Sequence, residues 1–409
     1  MRTKLGNIFV IYLIMIVLGV ASGLSGNSAL ESFGLIISEV FVRIFRCIST
    51  PIIALSIIVT LATYSEEGAM KQVWRRTIFY TISTTLIAAL VSCMLYLIIK
   101  PQNVHQAASN VKAYAATTTY SEHLINLIPT NIFTPFIEHQ VLGVLLLAIL
   151  IGIATRHIPD ANAKQTVTQF FRGMYGIFFV ITKWIVAVLP IGLYGFITAT
   201  TLQMNKGINL SGIGEYLAVV VLANVLQGFI ILPAWLKLNG IQPYLAMKKM
   251  LPALSVAFFS KSSAGTLPVT MNTAETNLKL NSNITRFVLP LCTSLNMNGC
   301  AAFIFATVVY LMQNHGLDMS VSTMLCWVVI STVAAIGNAG VPMGCFFLSA
   351  SLLSSMNVPI VLLGVILPFY NIIDMIETSL NVWSDSCVAI VVDKNYSEPQ
   401  SELTPQLQM

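Results

Sequence analysis

Five polar residues interrupt an otherwise apolar stretch near the C-terminus: Asp374, Glu377, Thr378, Asn381 and Asp385. With 3.6 residues per turn, positions 374, 378, 381 and 385 share one helical face, and Glu377 borders it. An acid at the centre of a membrane helix costs on the order of 2.5–3.5 kcal/mol on insertion scales, so three on one span require partners. Few basic residues lie within apolar sequence, Lys261 being one candidate. Bound cations or a substrate amine are therefore the simplest partners. Hard monovalent cations take oxygen ligands, which carboxylates, amides and carbonyls supply. The alternative is an acid face protonated or hydrogen-bonded within a helix bundle.

Other segments interrupt apolar sequence in the same way. Ser294, Asn296, Asn298, Gly299 and Cys300 fall in the middle of the apolar run 289–311. Two asparagines and a glycine invite an unwound turn whose freed carbonyls coordinate cations, although alone they also fit helix-packing polarity. Residues 260–268, with Ser262 and Ser263, and residues 337–344, with Asn338, Val341 and Pro342, each separate apolar arms too short to span alone. Irregular backbone is tolerated at membrane depth only where protein or water satisfies it. Both interruptions therefore read as re-entrant hairpins. Such a pair, in corresponding positions of two halves, points to inverted repeats around a midplane site. Two ordinary loops outside the membrane are the alternative.

The elements that position these groups follow from composition. The chain is 56% hydrophobic and only 9% charged, with a mean hydropathy of +0.81, whereas a soluble domain carries about a quarter charged residues. Its 409 residues accommodate eight spans at roughly 20 residues each. Apolar runs lie at 8–24, 33–63, 78–99, 141–154, 173–198 and 216–236. The first follows Arg2 and Lys4 as a signal peptide would, but no small-residue cleavage site precedes Glu31, so it reads as a retained span. Basic residues cluster in alternate connections (Lys71, Arg75 and Arg76; Arg156, Lys164 and Arg172; Lys237, Lys248 and Lys249), which makes those faces cytoplasmic. Both termini then lie inside, the polar segment 102–126 outside, and the tail after Lys394 reads as disordered.

The net charge of +5 is scattered and forms no nucleic-acid stripe. Cys47, Cys93, Cys292, Cys300, Cys326, Cys345 and Cys387 lie singly in apolar sequence, without CxxC or Cys/His spacing, so they read as small buried hydrophobes and indicate neither disulfide nor zinc. An intramembrane protease is the enzyme-class competitor, but no GxSG serine setting, no GxGD and no HExxH is expected, and both aspartates share one helix. A channel would call for a repeated pore segment, and none is visible. A multi-span carrier of a small solute remains.

Four motifs in order resemble the dicarboxylate/amino acid:cation symporter family, the glutamate transporter homologues. They are residues 262–271 (SSAGTLPVTM), 296–299 (NMNG), 339–342 (AGVP) and 374–382 (DMIETSLNV). The resemblance covers the chain, is strongest over residues 255–392, and is closest to the serine/threonine:sodium symporter branch. It implies an all-α membrane protein of eight spans plus two hairpins, a homotrimer in a bacterial inner membrane, and an elevator motion. Scaffold would be residues 1–70 and 101–205; the transport domain would be 71–100 and 206–394, with 395–409 as tail. It also implies that Asp374 holds a substrate amine, that Thr378 and Asn381 contact the substrate's polar backbone groups, and that Ser262, Ser263, Cys300, Val341, Pro342 and Glu377 line it. One sodium would lie among Asn296, Asn381 and Asp385; a second would take carbonyls of Ser294, Ala335, Ile336 and Asn338; a third would involve Tyr80, Ser83, Thr84, Asn296 and Asn298.

Departures from the family pattern refine this expectation. Glu377 stands where acidic-substrate members carry arginine, and Cys300 where they carry threonine. A carboxylate does not clamp a carboxylate, because like charges at close range disfavour joint ionisation. Glutamate and aspartate are therefore not expected as main substrates, and a small neutral hydroxy amino acid is, with a cationic side chain attracted to Glu377 as the alternative. Asn298 replaces a family aspartate and Tyr370 another acidic position, which implies fewer coupled sodium ions, or coupling partly to protons.

Overall fold

The computed structural model describes residues 2–62, 70–103, 129, 131–137, 141–205, 211–338, 340, 343–356 and 358–396. Most of the segment 102–126, the tip residues Val341 and Pro342 and the tail 397–409 lie outside them. Every regular element among the described residues is helical. In chain order they are α1 (Arg2–Leu24), α2 (Ser28–Ala62), α3 (Met70–Ile99), the single turn α4 (Thr134–Ile137), α5 (Val141–Arg156), α6 (Ala161–Asn205) and α7 (Ser211–Leu226), which passes through a π turn (Gln227–Ile231) into α8 (Leu232–Leu238). Then follow α9 (Pro243–Ser260), α10 (Ser263–Thr273), a second π turn (Ala274–Leu278), α11 (Ser282–Leu295), α12 (Asn298–Asn314), α13 (Val321–Ile336), α14 (Gly344–Ser355) and α15 (Val361–Lys394).

Four helical segments among the described residues are long and apolar enough to cross a membrane: Lys71–Ile99, Gly212–Leu238, Ser282–Asn314 and Leu362–Lys394. The arms around the two interruptions are shorter. α9, α10, α13 and α14 have 18, 11, 16 and 12 residues, or about 16–27 Å at 1.5 Å per residue, less than the roughly 30 Å of a bilayer core. The first interruption is narrower than its sequence implies, because only Lys261 and Ser262 leave the helix and Pro268 lies inside α10. Ser262 explains the early restart: extended at φ −145° and ψ 108°, it caps α10 by accepting from the Gly265 N–H at 3.0 Å.

Packing falls into two groups. α1 and α2 pack mainly on α6, and α5 packs on α2, whereas α12 is surrounded by α3, α7, α13, α14 and α15. The groups meet where α15 approaches α6 and α14 approaches α2. Helices without a hydrophobic driving force between them rely on close backbone approach through small residues. A Cβ at Gly195 of α6 would lie 2.6 Å from Ser38 N and 2.9 Å from Gly34 O, both backbone atoms of α2. Five of the seven cysteines are buried as expected, but Cys47 and Cys326 are exposed on the chain's surface. One GxSG string does occur, at Gly23, Leu24, Ser25 and Gly26. There Ser25 Oγ donates to Ser22 O at 2.8 Å, which makes it a turn between α1 and α2 and not a nucleophile setting.

This contact yields a stability prediction. Gly195→Ala forces α2 and α6 apart and costs about 1–3 kcal/mol, the range of overpacking. Gly176→Ala on the same helix, where nothing lies within 4 Å of the added Cβ, leaves stability unchanged or slightly higher. Thermal melts of both variants in detergent check this; equal melting temperatures would refute the close-approach argument.

Candidate functional site

The break between α11 and α12 consists of Asn296 (φ −95°, ψ 76°) and Met297 (φ −109°, ψ 63°). A helix start at this depth leaves N–H groups that need acceptors. Asn381 on α15 supplies one, its Oδ1 accepting from Gly299 N at 2.9 Å, while its Nδ2 donates to Cys300 Sγ at 3.2 Å. Glycine is required at 299, since a Cβ there would meet Glu377 Cα at 2.8 Å and Asn224 Oδ1 at 2.9 Å.

One amide turn away, Asn296 Nδ2 donates to Asp385 Oδ1 at 3.1 Å and to Ser384 Oγ at 2.9 Å, and Thr293 Oγ1 donates to Asp385 Oδ2 at 3.4 Å. Asn298 Nδ2 donates to Asn296 Oδ1 at 2.8 Å and lies 3.4 Å from Thr84 Oγ1 and 3.5 Å from Thr85 Oγ1. Thr84 Oγ1 itself lies 3.1 Å from Asn296 Oδ1 and 2.9 Å from Tyr80 O, so its single proton serves one of the two at a time. Asn298 Oδ1 accepts from Gln227 Nε2 at 2.7 Å, and that nitrogen also reaches Thr84 O at 3.2 Å. A neutral amide N–H₂ thus sits among the oxygens expected to hold a third cation.

The hairpin tips meet on one carbonyl. Gly340 O accepts from Ser262 Oγ at 3.1 Å and from Ala264 N at 3.4 Å. Gly340 has φ +62°, and a Cβ there would lie 3.0 Å from Thr293 O and 3.4 Å from Ser263 Cβ, so both conformation and space select glycine. Three residues on, Met343 N donates to Asp374 Oδ2 at 3.2 Å, so Asp374 caps the start of α14. Thr378 Oγ1 donates to Asp374 O at 2.7 Å. α10, α12 and α14 therefore all begin at this level, and their partial positive ends favour anionic groups nearby.

Asp374, Glu377 and Asp385 are 4%, 1% and 1% exposed, and none has an ion-pair partner among the described residues. Lys261, the basic residue singled out by the sequence, donates from Nζ to Asn371 Oδ1 at 2.5 Å, one turn before Asp374. Glu377 Oε2 accepts from Tyr370 OH at 3.2 Å, while its Oε1 is buried without a partner. Asn338 Nδ2 donates to Cys300 Sγ at 2.9 Å, and its Oδ1 is likewise buried and unpartnered.

Hydrogen bonds therefore link Thr84, Asn296, Asn298 and Asp385 into one network, and Asn381, Cys300 and Asn338 into another. Ser262 and Ser263 are buried at the first tip. Ser294 is the next-to-last residue of α11, Ala335 and Ile336 are the last two of α13 and Asn338 lies two residues beyond it, so these carbonyls lie at the C-terminal ends of two helices in contact. Of the other residues expected around a third cation, Ser83 Oγ donates to Phe79 O in its own helix at 2.7 Å, Tyr80 O accepts from Thr84 Oγ1 at 2.9 Å, and the Tyr80 ring packs edge-on against Trp235 at 5.4 Å. Sequence reasoning missed Gln227, Thr293, Ser384 and Cys345. For Gln227 a signal existed, one of two amides, with Asn224, amid the apolar run 216–236. The π turn, a geometry frequent at functional sites, carries it into the network.

The chain is 27% identical to the proton/sodium-glutamate symport protein of Geobacillus stearothermophilus, over 93% of this chain and 92% of that protein. It is 24% identical to the neutral amino acid transporter B(0) of Homo sapiens, over 96% and 81%. With the proton/glutamate-aspartate symporter of Escherichia coli it shares 23% identity over 87% and 84%. The profile of the sodium:dicarboxylate symporter family matches residues 8–395, and with a match of that extent the chain belongs to this family of transporters, not to the enzymes.

Proposed function

We propose that the protein is a secondary active symporter that takes up a small neutral amino acid of the serine/threonine kind together with sodium ions. The observation that carries the substrate choice is Glu377, whose Oε1 is buried without a partner beside the start of α12. A hydroxyl donor on the substrate completes that oxygen, whereas an acidic side chain brings a second negative charge to it. An ammonium-bearing side chain would also donate there, so a cationic amino acid is the second reading. A relative named as a neutral amino acid transporter supports the first, while relatives named as proton/sodium-glutamate and proton/glutamate-aspartate symporters leave protons as an alternative coupling ion.

In this reading Asp374 takes the substrate amine, Thr378 and Asn381 its backbone polar groups, and Ser262, Ser263 and Cys300, with Val341 and Pro342, line the pocket. Sodium binds among Asn296, Asn381 and Asp385, and at the carbonyl ends near Ser294, Ala335, Ile336 and Asn338. The Asn298 amide takes the place of a third ion. The group built on α1, α2, α5 and α6 serves as scaffold in a homotrimer in the cell membrane. The remainder, with two re-entrant hairpins and the last spans of a set of eight, moves as an elevator.

Labelled serine uptake into proteoliposomes under a sodium gradient tests the substrate assignment. Serine and threonine compete, and glutamate and aspartate do not; best competition by an acidic amino acid would overturn the reading of Glu377. Uptake driven by a proton gradient but not by sodium would overturn the coupling ion. Asp374→Ala removes a hydrogen bond to a charged group, about 1.5–3 kcal/mol, and so weakens serine counterflow by roughly 10–150-fold. Ohmic current or peptide cleavage in its place would exclude a carrier.

The amide network gives a separate prediction. Asn298→Asp replaces the N–H₂ donor by a carboxylate oxygen among Thr84, Thr85 and Asn296, so the Hill coefficient for sodium in serine uptake rises by about one. An unchanged coefficient in a variant that still transports would show that Asn298 does not stand in for an ion.

A further inference from the structure

Two thiols converge on the Glu377 carboxylate, one oxygen of which is buried without a partner. Cys300 lies in the first turn of α12, Cys345 in the first turn of α14, and Glu377 midway along α15. Cys300 Sγ, Cys345 Sγ and a Glu377 carboxylate oxygen all lie within 4.8 Å of one another, and each residue is 1% exposed. The chain brings them together from three separate helices. No sequence spacing announces the group, because 45 residues separate the cysteines along the chain.

The surroundings hold the three ligand atoms in place. Cys300 Sγ accepts N–H groups from Asn338 at 2.9 Å and from Asn381 at 3.2 Å, outer bonds of the kind that orient metal ligands. Tyr370 OH fixes Glu377 through Oε2 and leaves Oε1 buried without a partner. Two sulfurs and one carboxylate suit a soft or borderline d¹⁰ cation, which binds sulfur at about 2.3 Å and oxygen at about 2.0–2.2 Å. Tetrahedral angles at those lengths put two sulfurs roughly 3.8 Å apart, so side-chain rotations suffice to close the site. Sodium, a hard cation, does not compete for two thiolates.

We propose that Cys300, Cys345 and Glu377 form a binding site for a thiophilic divalent cation, Zn²⁺ or Cd²⁺, with a fourth position left open. Binding releases the two thiol protons and binds the first turn of α14 to α12 and α15. The site shares Cys300 and Glu377 with the pocket of the transport reading, but metal binding to it is measured without any substrate. If the transport reading holds as well, an ion there arrests the second hairpin and inhibits uptake.

The test titrates Cd²⁺ into the reduced, full-length protein carrying Cys47→Ala and Cys326→Ala, which removes the two exposed thiols. Thiolate-to-cadmium absorbance in the ultraviolet is expected to saturate at one ion per chain, to resist excess sodium and to strengthen as pH rises. Cys345→Ser, close to cysteine in volume, is expected to weaken binding at least tenfold and to abolish the thermal stabilisation by Cd²⁺, while Cys387→Ser, at a buried thiol elsewhere, keeps both. Should Cys345→Ser fail to fold, Glu377→Gln supplies the same comparison through the carboxylate. No saturable absorbance, or equal binding in the Cys345 and Cys387 variants, overturns the proposal, and neither result depends on whether serine is transported.

Discussion

A backbone N–H or C=O left without a partner in an apolar surrounding costs several kcal/mol, and among the described residues the chain breaks its helices at Lys261–Ser262, at Asn296–Met297 and between Ile336 and Gly344, where the ends meet α15 or one another. Everything in the site follows from satisfying those ends. α15 does much of it from one face. Asn381 accepts from the start of α12, Asp374 from the start of α14, and Asp385 holds Asn296 at the end of α11. Its polar stripe is therefore structural as well as functional. Two of these side chains accept from backbone N–H groups and the third from a side-chain amide at the break.

The ends left over are satisfied by neighbours whose identity the fold determines. Gln227 reaches Asn298 because the π turn redirects it, and the same turn exposes Gly228 O, which accepts from Trp383 Nε1 at 3.1 Å. Amides thereby replace both charge and counter-charge around Thr84. Asp385 is the one acid that this network reaches among the described residues, through the Asn296 amide. A buried polar cluster that closes on itself rigidifies its surroundings, and a partly satisfied one invites a ligand. Asn298, bonded through both ends of its amide, approaches the first kind, whereas Glu377 Oε1 and Gln227 Oε1, both buried without a partner, mark the second.

Much of this was legible in the sequence. Glycine, asparagine and serine in apolar runs marked the breaks at 260, 296 and 337, and the spacing from Asp374 to Asp385 gave the face of α15 that meets them. Two kinds of feature were not legible. Where the helix resumes after a break depends on capping, and Ser262 restarts it well before Pro268. Which lone residue meets which depends on topology, so Cys345 read as an isolated hydrophobe although its sulfur adjoins that of Cys300.

The single carbonyl shared by the two hairpin tips has a thermodynamic consequence. Gly340 O receives both Ser262 Oγ and Ala264 N, and each neutral hydrogen bond is worth a net of about 0.5–1.5 kcal/mol. Separating the tips therefore costs only about 1–3 kcal/mol in those bonds, which corresponds to a separated population from roughly one in six to one in 160. A solute that offers its own acceptor to the same two donors exchanges partners instead of breaking them, so its arrival changes the occupancy of the two arrangements with little net loss of hydrogen bonding. A glycine whose backbone lies where a side chain would collide with Thr293 thus fixes how evenly the two arrangements are balanced.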